Sequence, residues 1–186
     1  MKELSLNILD IAENSVKAGS CLTEITVDED SEKLRIIIKD NGCGMDKETL
    51  KSVTDPFYTT RKTRKVGLGI PFLKMEAEQT GGSFRIESKS EKENKSEHGT
   101  EVFAEFIKSS IDFIPLGDTV STVTTLILGH PERDFVFKHK TGKKEIFLDT
   151  REIKDTLDGV PIDTYEVIKW IKDFLTEQYE NQERMK

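Results

Sequence analysis

The sequence predicts an α+β protein: a two-layer α/β sandwich followed by a small α+β unit at the C-terminal end. Three observations lead there. Hydrophobic periodicity over the first 108 residues reads helix, strand, strand, loop, helix, strand, strand, the order of one antiparallel-rich sheet covered on a single face by helices. Beyond Ser110 the composition changes, and residues 111–186 read as a second small unit after a main domain over residues 1–110. A chain of 186 residues accommodates both, since domains commonly run about 100–150 residues.

The first helix is expected over residues 2–18, where Ile8, Leu9, Ile11, Ala12 and Val16 share one side of a 3.6-residue period and Gly19 supplies a stop. Residues 24–28 alternate through Ile25 and Val27, residues 34–39 are rich in isoleucine, and a turn over 29–33 makes them a hairpin. Residues 56–66 have no usable period and read as an irregular basic loop, with Pro56, Phe57 and Tyr58 as its hinge or as core plugs. Pro71 suits the first turn of a helix running to Thr80, which Gly81 and Gly82 end. Strands follow over 83–88 and 100–108, joined by a polar run over 89–98. In the C-terminal part, a helix over 118–128 precedes a hairpin of 134–140 and 143–149 across Thr141 and Gly142, then two more helices. In the last of these Val167, Ile168, Trp170, Ile171, Phe174 and Leu175 fall at helical spacing, as packing residues within the unit or against a partner.

Composition narrows the function. The chain is 35% hydrophobic and 34% charged, with no apolar stretch near the roughly 20 residues that span a bilayer. Its first residues lack the charged and apolar regions of a signal peptide, so a cytoplasmic location is expected, without membrane association. Lysine and arginine total 28 against 35 acids, and the net charge of -7 offers no general attraction to nucleic acid. Cys21 and Cys43 read as free thiols, and His98, His130 and His139 lie too far apart in sequence to suggest a metal cluster.

Four short islands look like an ATP site when taken in order. On the first helix Asp10, Asn14 and Lys17 are spaced i, i+4 and i+7, so a carboxylate, an amide and an ammonium share one stripe. Such a stripe could deprotonate a nucleophile, hold Mg2+ and meet a phosphate; taken alone, it reads more readily as a solvated face. Asp40 ends a strand, and Gly42 and Gly44, followed by Met45, let the backbone turn sharply there. A carboxylate so placed would accept from the exocyclic amine of adenine and leave guanine unmatched, whereas the plainer reading is an Asn-Gly turn. Gly67, Leu68 and Gly69 precede a helix whose start would receive a phosphate chain. Just upstream, Thr60, Arg61, Lys62, Arg64 and Lys65 read as a soluble loop or an electrostatic lid, and the neighbouring glycines favour the lid. Gly99 and Thr100 open a strand, with a hydroxyl that would help Asp40 hold adenine through water.

These islands resemble the GHKL superfamily of gyrase, heat-shock chaperone, histidine kinase and MutL, whose ATP-binding unit is the Bergerat fold. DIAENSVKAG at residues 10–19 is similar to the family's asparagine box and DNGCGM at 40–45 to its first glycine box. PFYTTR at 56–61 with GLGIPFLKMEAEQTGG at 67–82 looks like the nucleotide-binding domain of sensor histidine kinases, and HGTEVFAEF at 98–106 resembles the final strand. Residues 115–118 and 135–139 also resemble stand-alone bacterial ATP-binding proteins of the superfamily. The resemblance implies that Asn14 coordinates Mg2+, Lys17 approaches the phosphates, Asp40 binds the adenine amine, Gly67 and Gly69 wrap the phosphates and Thr100 supports the adenine. Two departures stand out. Asp10 replaces the usual glutamate base and is one methylene shorter, and Lys65-Val66-Gly67 lacks a glycine common in kinases.

The resemblance implies a Mg2+·ATP-binding protein, with phosphoryl transfer to a histidine or serine of a partner bound through residues 111–186. The alternatives are an ATP-driven switch with slow hydrolysis and a nucleotide sensor without turnover. No phosphoacceptor hairpin precedes the domain, so autophosphorylation as a complete sensor kinase is not expected, and His130, downstream of the site, reads as structural.

Overall fold

The computed structural model describes residues 3–54, 69–142 and 144–183. Helix α1 (Leu4–Lys17) buries Leu4, Ile8, Ile11 and Ala12 along one face. The backbone N–H groups of Leu4 and Ser5, which a helix start leaves without intrahelical partners, donate to the carbonyls of Pro115 (3.0 Å) and Leu116 (2.8 Å). Strands β1 (Leu22–Glu29) and β2 (Lys33–Asp40) form the expected hairpin, with Ile25 opposite Ile38 and Val27 opposite Ile36. Alternation sends Ile25, Val27, Leu34, Ile36 and Ile38 into the core. On the other face Lys33 and Arg35 pair with Glu105 at 3.0 and 2.9 Å.

A short helix, α2 (Lys47–Ser52), follows, which periodicity did not anticipate; Asp46 caps it by accepting from the N–H of Thr49 at 2.8 Å. Helix α3 (Gly69–Gln79) contains Pro71, and strands β3 (Ser83–Lys89) and β4 (Gly99–Ile107) complete the N-terminal part. Then come α4 (Thr119–Gly129), β5 (Asp134–Thr141), β6 (Lys144–Asp149), α5 (Thr150–Thr156) and α6 (Tyr165–Glu183).

The six strands form one sheet in the order β3-β4-β2-β1-β5-β6. Neighbours are antiparallel except β1 and β5, which run parallel with Leu22 opposite Asp134 and Ile25 opposite Phe137. The expected boundary near Ser110 therefore marks a change of composition and not a break in the sheet. Phe135, Phe137, Leu126 and Leu148 share one hydrophobic core with Ile8, Ile25 and Ile38. The physical reason is the free edge of β1, whose backbone groups are satisfied by β5. Helix α4 packs between α1 and α6, which joins the two parts on the helical side as well.

Candidate functional site

The site gathers where β2 ends beside α1. Asp40 is half-buried, and its carboxylate is held from three segments of the chain. Oδ2 accepts from the Ser15 hydroxyl of α1 at 2.7 Å, while Oδ1 accepts from the N–H of Gly42 at 2.9 Å and from that of Thr100 at 3.3 Å. Three donors fix both oxygens in direction, and acceptor capacity remains on each.

The turn after Asp40 is braced on both sides. Asn41 Oδ1 accepts from Ser20 Oγ and from the N–H groups of Cys21 and Leu22, each at 3.0 Å. His98 donates through Nδ1 to the carbonyl of Gly42 at 2.6 Å. Past Gly44 the N–H of Met45 donates to Ser88 Oγ at 2.8 Å, and Ser88 Oγ lies 2.9 Å from Thr100 Oγ1. Gly99 has φ +135°, and a side chain there would collide with the carbonyl of Asp40, so only glycine lets β4 begin this close to β2. Beside these strand ends opens a hollow of about 590 Å³, whose lining includes Lys39, Asp40, Ser88, Lys89, His98 and Thr100.

Along α1, Asp10 and Asn14 are half-buried and Lys17 is exposed. The Asp10 carboxylate lies against Gly69, the first residue of α3, so closely that a Cβ on Gly69 would strike it. Lys17 Nζ sits 3.8 Å from Glu13 Oε2, and His130 Nε2 lies 2.8 Å from Glu13 Oε1. His130 thus ties the turn after α4 to α1, in keeping with a structural role. A buried Asn7 amide donating to Glu76 links α1 to α3.

Of the residues singled out in the sequence, the structure joins Asp40, Gly42 and Thr100 directly and connects Met45 to Thr100 through Ser88. Asp10 meets Gly69, and Asn14 and Lys17 stand on the same helix. Thr60, Arg61, Lys62, Gly67 and Leu68, and with them the proposed lid, lie outside the described residues. Sequence reading missed Ser15, Ser88, Asn41 and His98 as site residues. Ser15 had one signal: it follows Asn14 directly and so points toward the buried side of the same helix. Among the described residues no cluster of three or more histidine, cysteine or acidic side chains stands in metal-binding geometry, and no helix is long and apolar enough to cross a membrane.

A six-stranded mixed sheet packed with helices thus carries, at the end of β2, a carboxylate fixed beside α1. The profile of the Histidine kinase-, DNA gyrase B-, and HSP90-like ATPase family matches residues 1–110, more than half of the chain, and the protein belongs to that family. It is 36% identical to the sensor protein SrrB of Staphylococcus aureus over 93 residues, 47% of this chain and 16% of that protein. It is 32% identical to a sensor protein of Shewanella frigidimarina over 89 residues, 47% of this chain and 14% of that one. The chain thus spans no more than 16% of the length of these curated relatives. Among solved structures, the Aquifex aeolicus MutL ATPase domain complexed with ADP aligns with TM-score 0.55 and 15% identity, covering 85% of this chain and 70% of that one. The N-terminal domain of a DNA repair protein aligns with TM-score 0.53 and 16% identity, covering 80% and 53%. Both show the fold, and both likenesses extend past the part matched by the family profile.

Proposed function

We propose that this protein binds Mg2+·ATP in the cytoplasm and transfers the terminal phosphoryl group to a histidine or serine of a partner protein. The observation that supports this most is the Asp40 carboxylate, held by Ser15, Gly42 and Thr100 with acceptor capacity to spare. It stands ready to take a hydrogen bond from the adenine amine. Guanine offers a carbonyl at that position and would leave the acid unmatched, a difference of ~1–3 kcal/mol. The phosphates would run along α1 toward Gly69 and the start of α3, where backbone N–H groups favour anions.

In this reading Asn14 supplies a hard amide oxygen for Mg2+, which fits a small cation that keeps most of its remaining ligands as water and phosphate oxygens. The bound ion would neutralise phosphate charge. Lys17 would lie near the same phosphates, though Glu13 shares its charge. Asp10, one helical turn before Asn14, would accept the proton of the attacking group as the new bond to phosphorus forms and the bond to the ADP oxygen breaks.

A second reading is favoured by the seating of Asp10 against Gly69. A triphosphate reaching the start of α3 must share or displace that contact, so nucleotide binding would shift α3 against α1 and act as a switch. Incubation of the protein with gamma-labelled ATP and candidate partners separates the outcomes. Label on a partner supports transfer, and free phosphate supports a slow ATPase switch. Neither product, despite measurable ATP affinity, supports a sensor and removes the kinase reading.

A further inference from the structure

Between β6, α5 and α6 lies a groove of about 350 Å³. Phe147, Leu148, Ile153 and Leu157 line it, and Trp170 and Phe174 of α6 stand at its side. The two rings stack with centroids 5.2 Å apart and planes 13° from parallel, yet they remain 52% and 37% exposed. Aromatic surface left in water forgoes the stabilisation that burial would give. The groove wall is fixed: Gln178 of α6 accepts from the N–H of Phe147 (3.2 Å) and donates to its carbonyl (3.3 Å), as a neighbouring strand would.

Charge decides what fits there. On α6 the exposed acids Glu166, Asp173 and Glu177 stand four, three and seven positions from Trp170, with the exposed Lys169 within one turn of the first two. Lys138 Nζ of β5 lies 5.5 Å from the centre of the Phe147 ring, so that acids outnumber bases around the groove. Glu152 stands exposed on α5, and Asp149 is already engaged by Arg151 at 2.6 Å. We infer that this groove docks a basic amphipathic segment of a partner protein. A bulky apolar side chain enters beside Phe147 and the Trp170–Phe174 stack, and flanking lysines or arginines meet Glu152, Asp173 and Glu177. A second copy of this face would set the same acidic row against itself, and an anionic lipid surface would meet the same repulsion. The groove also connects toward the nucleotide helix. Tyr179 Oη lies 2.7 Å from Thr119 Oγ1 of α4, and Thr122 Oγ1 donates to the Ser5 carbonyl of α1 at 3.2 Å.

This inference deepens the partner reading given above, and its test leaves nucleotide out, so that failure here does not bear on the ATP site. Trp170 is the single tryptophan of the chain and reports on the groove directly. The full chain is titrated with a synthetic amphipathic peptide of leucine and lysine, reading tryptophan emission and backbone amide shifts. The expected result is a saturable blue shift, with amide changes confined to residues 147–157 and 166–177. Phe174→Ala, or Asp173→Lys with Glu177→Lys, should weaken binding about tenfold with circular dichroism unchanged. The matching leucine-glutamate peptide should leave the emission where it was. Equal binding by the charge-reversed variant, or amide changes scattered over the surface, would overturn the inference. So would a concentration-dependent dimer abolished by Trp170→Ala, or a saturable response to anionic vesicles.

Discussion

Asp40 is the carboxylate on which the proposed recognition of adenine rests. Changing it to asparagine keeps the shape but turns one acceptor into a donor, which then faces either the N–H groups of Gly42 and Thr100 or, in the proposed complex, the adenine amine, none of which can accept. The mismatch is worth ~1–3 kcal/mol, so calorimetry should show ATP affinity lower by at least about ten- to hundredfold in Asp40→Asn. Unchanged affinity would remove Asp40 from the nucleotide site. Asp40 was legible because the glycines around it serve little purpose in a plain hairpin. Ser15 and Ser88 were not: what a hydroxyl bonds to depends on which strand ends and helix turns meet it in three dimensions. Sequence neighbours revealed nothing of the Asp40–Ser15 contact, which joins residues 25 apart.

At the level of elements, local chemistry sets most boundaries. Asp118 caps α4 by accepting from the N–H of Ser121 at 2.8 Å and from its hydroxyl at 2.6 Å, and these bonds hold its carboxyl below the usual range. Asp118→Ala should lower stability by about 1 kcal/mol, read as a shift in the urea midpoint. The difference should fade as pH falls through the carboxylate range, because a depressed carboxyl stabilises only while ionised.

On β5 the sign is different in origin but similar in direction. His139 is 4% exposed, with Nδ1 2.9 Å from Tyr179 Oη and Nε2 3.4 Å from Glu29 Oε2 without hydrogen-bond alignment. Burial pulls its pKa below 6.5, against the opposing pull of Glu29 and Asp28, while burial pushes the Tyr179 phenol up to about 12. The unfolded chain therefore binds the extra proton first, and stability is lost as pH drops below 6.5. The urea midpoint should be lower at about pH 5.5 than at about pH 7.5, and His139→Gln should flatten that slope. Strands β1 to β6 and the longer helices were legible from periodicity, whereas α2 escaped because six residues make too few turns to show a period.

The molecule as a whole is less divisible than its composition suggests. Residues 111–186 bring β5 to the free edge of β1, supply Phe135, Phe137 and Leu126 to the common core, and satisfy the start of α1 through Pro115 and Leu116. A chain ending at Ser110 should lose the cooperative thermal transition of the full protein, seen as a broad or absent melt by circular dichroism. A sharp melt in that fragment would show the family-matched half to fold alone. The sequence could not announce the single sheet. Closeness along the chain predicts hairpin neighbours, whereas the β1–β5 pair joins residues 22–29 to residues 134–141.

That same pair bears on how the protein is made. Leu22 leaves the ribosome before its partner Asp134, by the time it takes to translate the residues between them. Until then the nascent sheet carries a bare, sticky rim, and the window for wrong pairing lasts for the interval of translation between them.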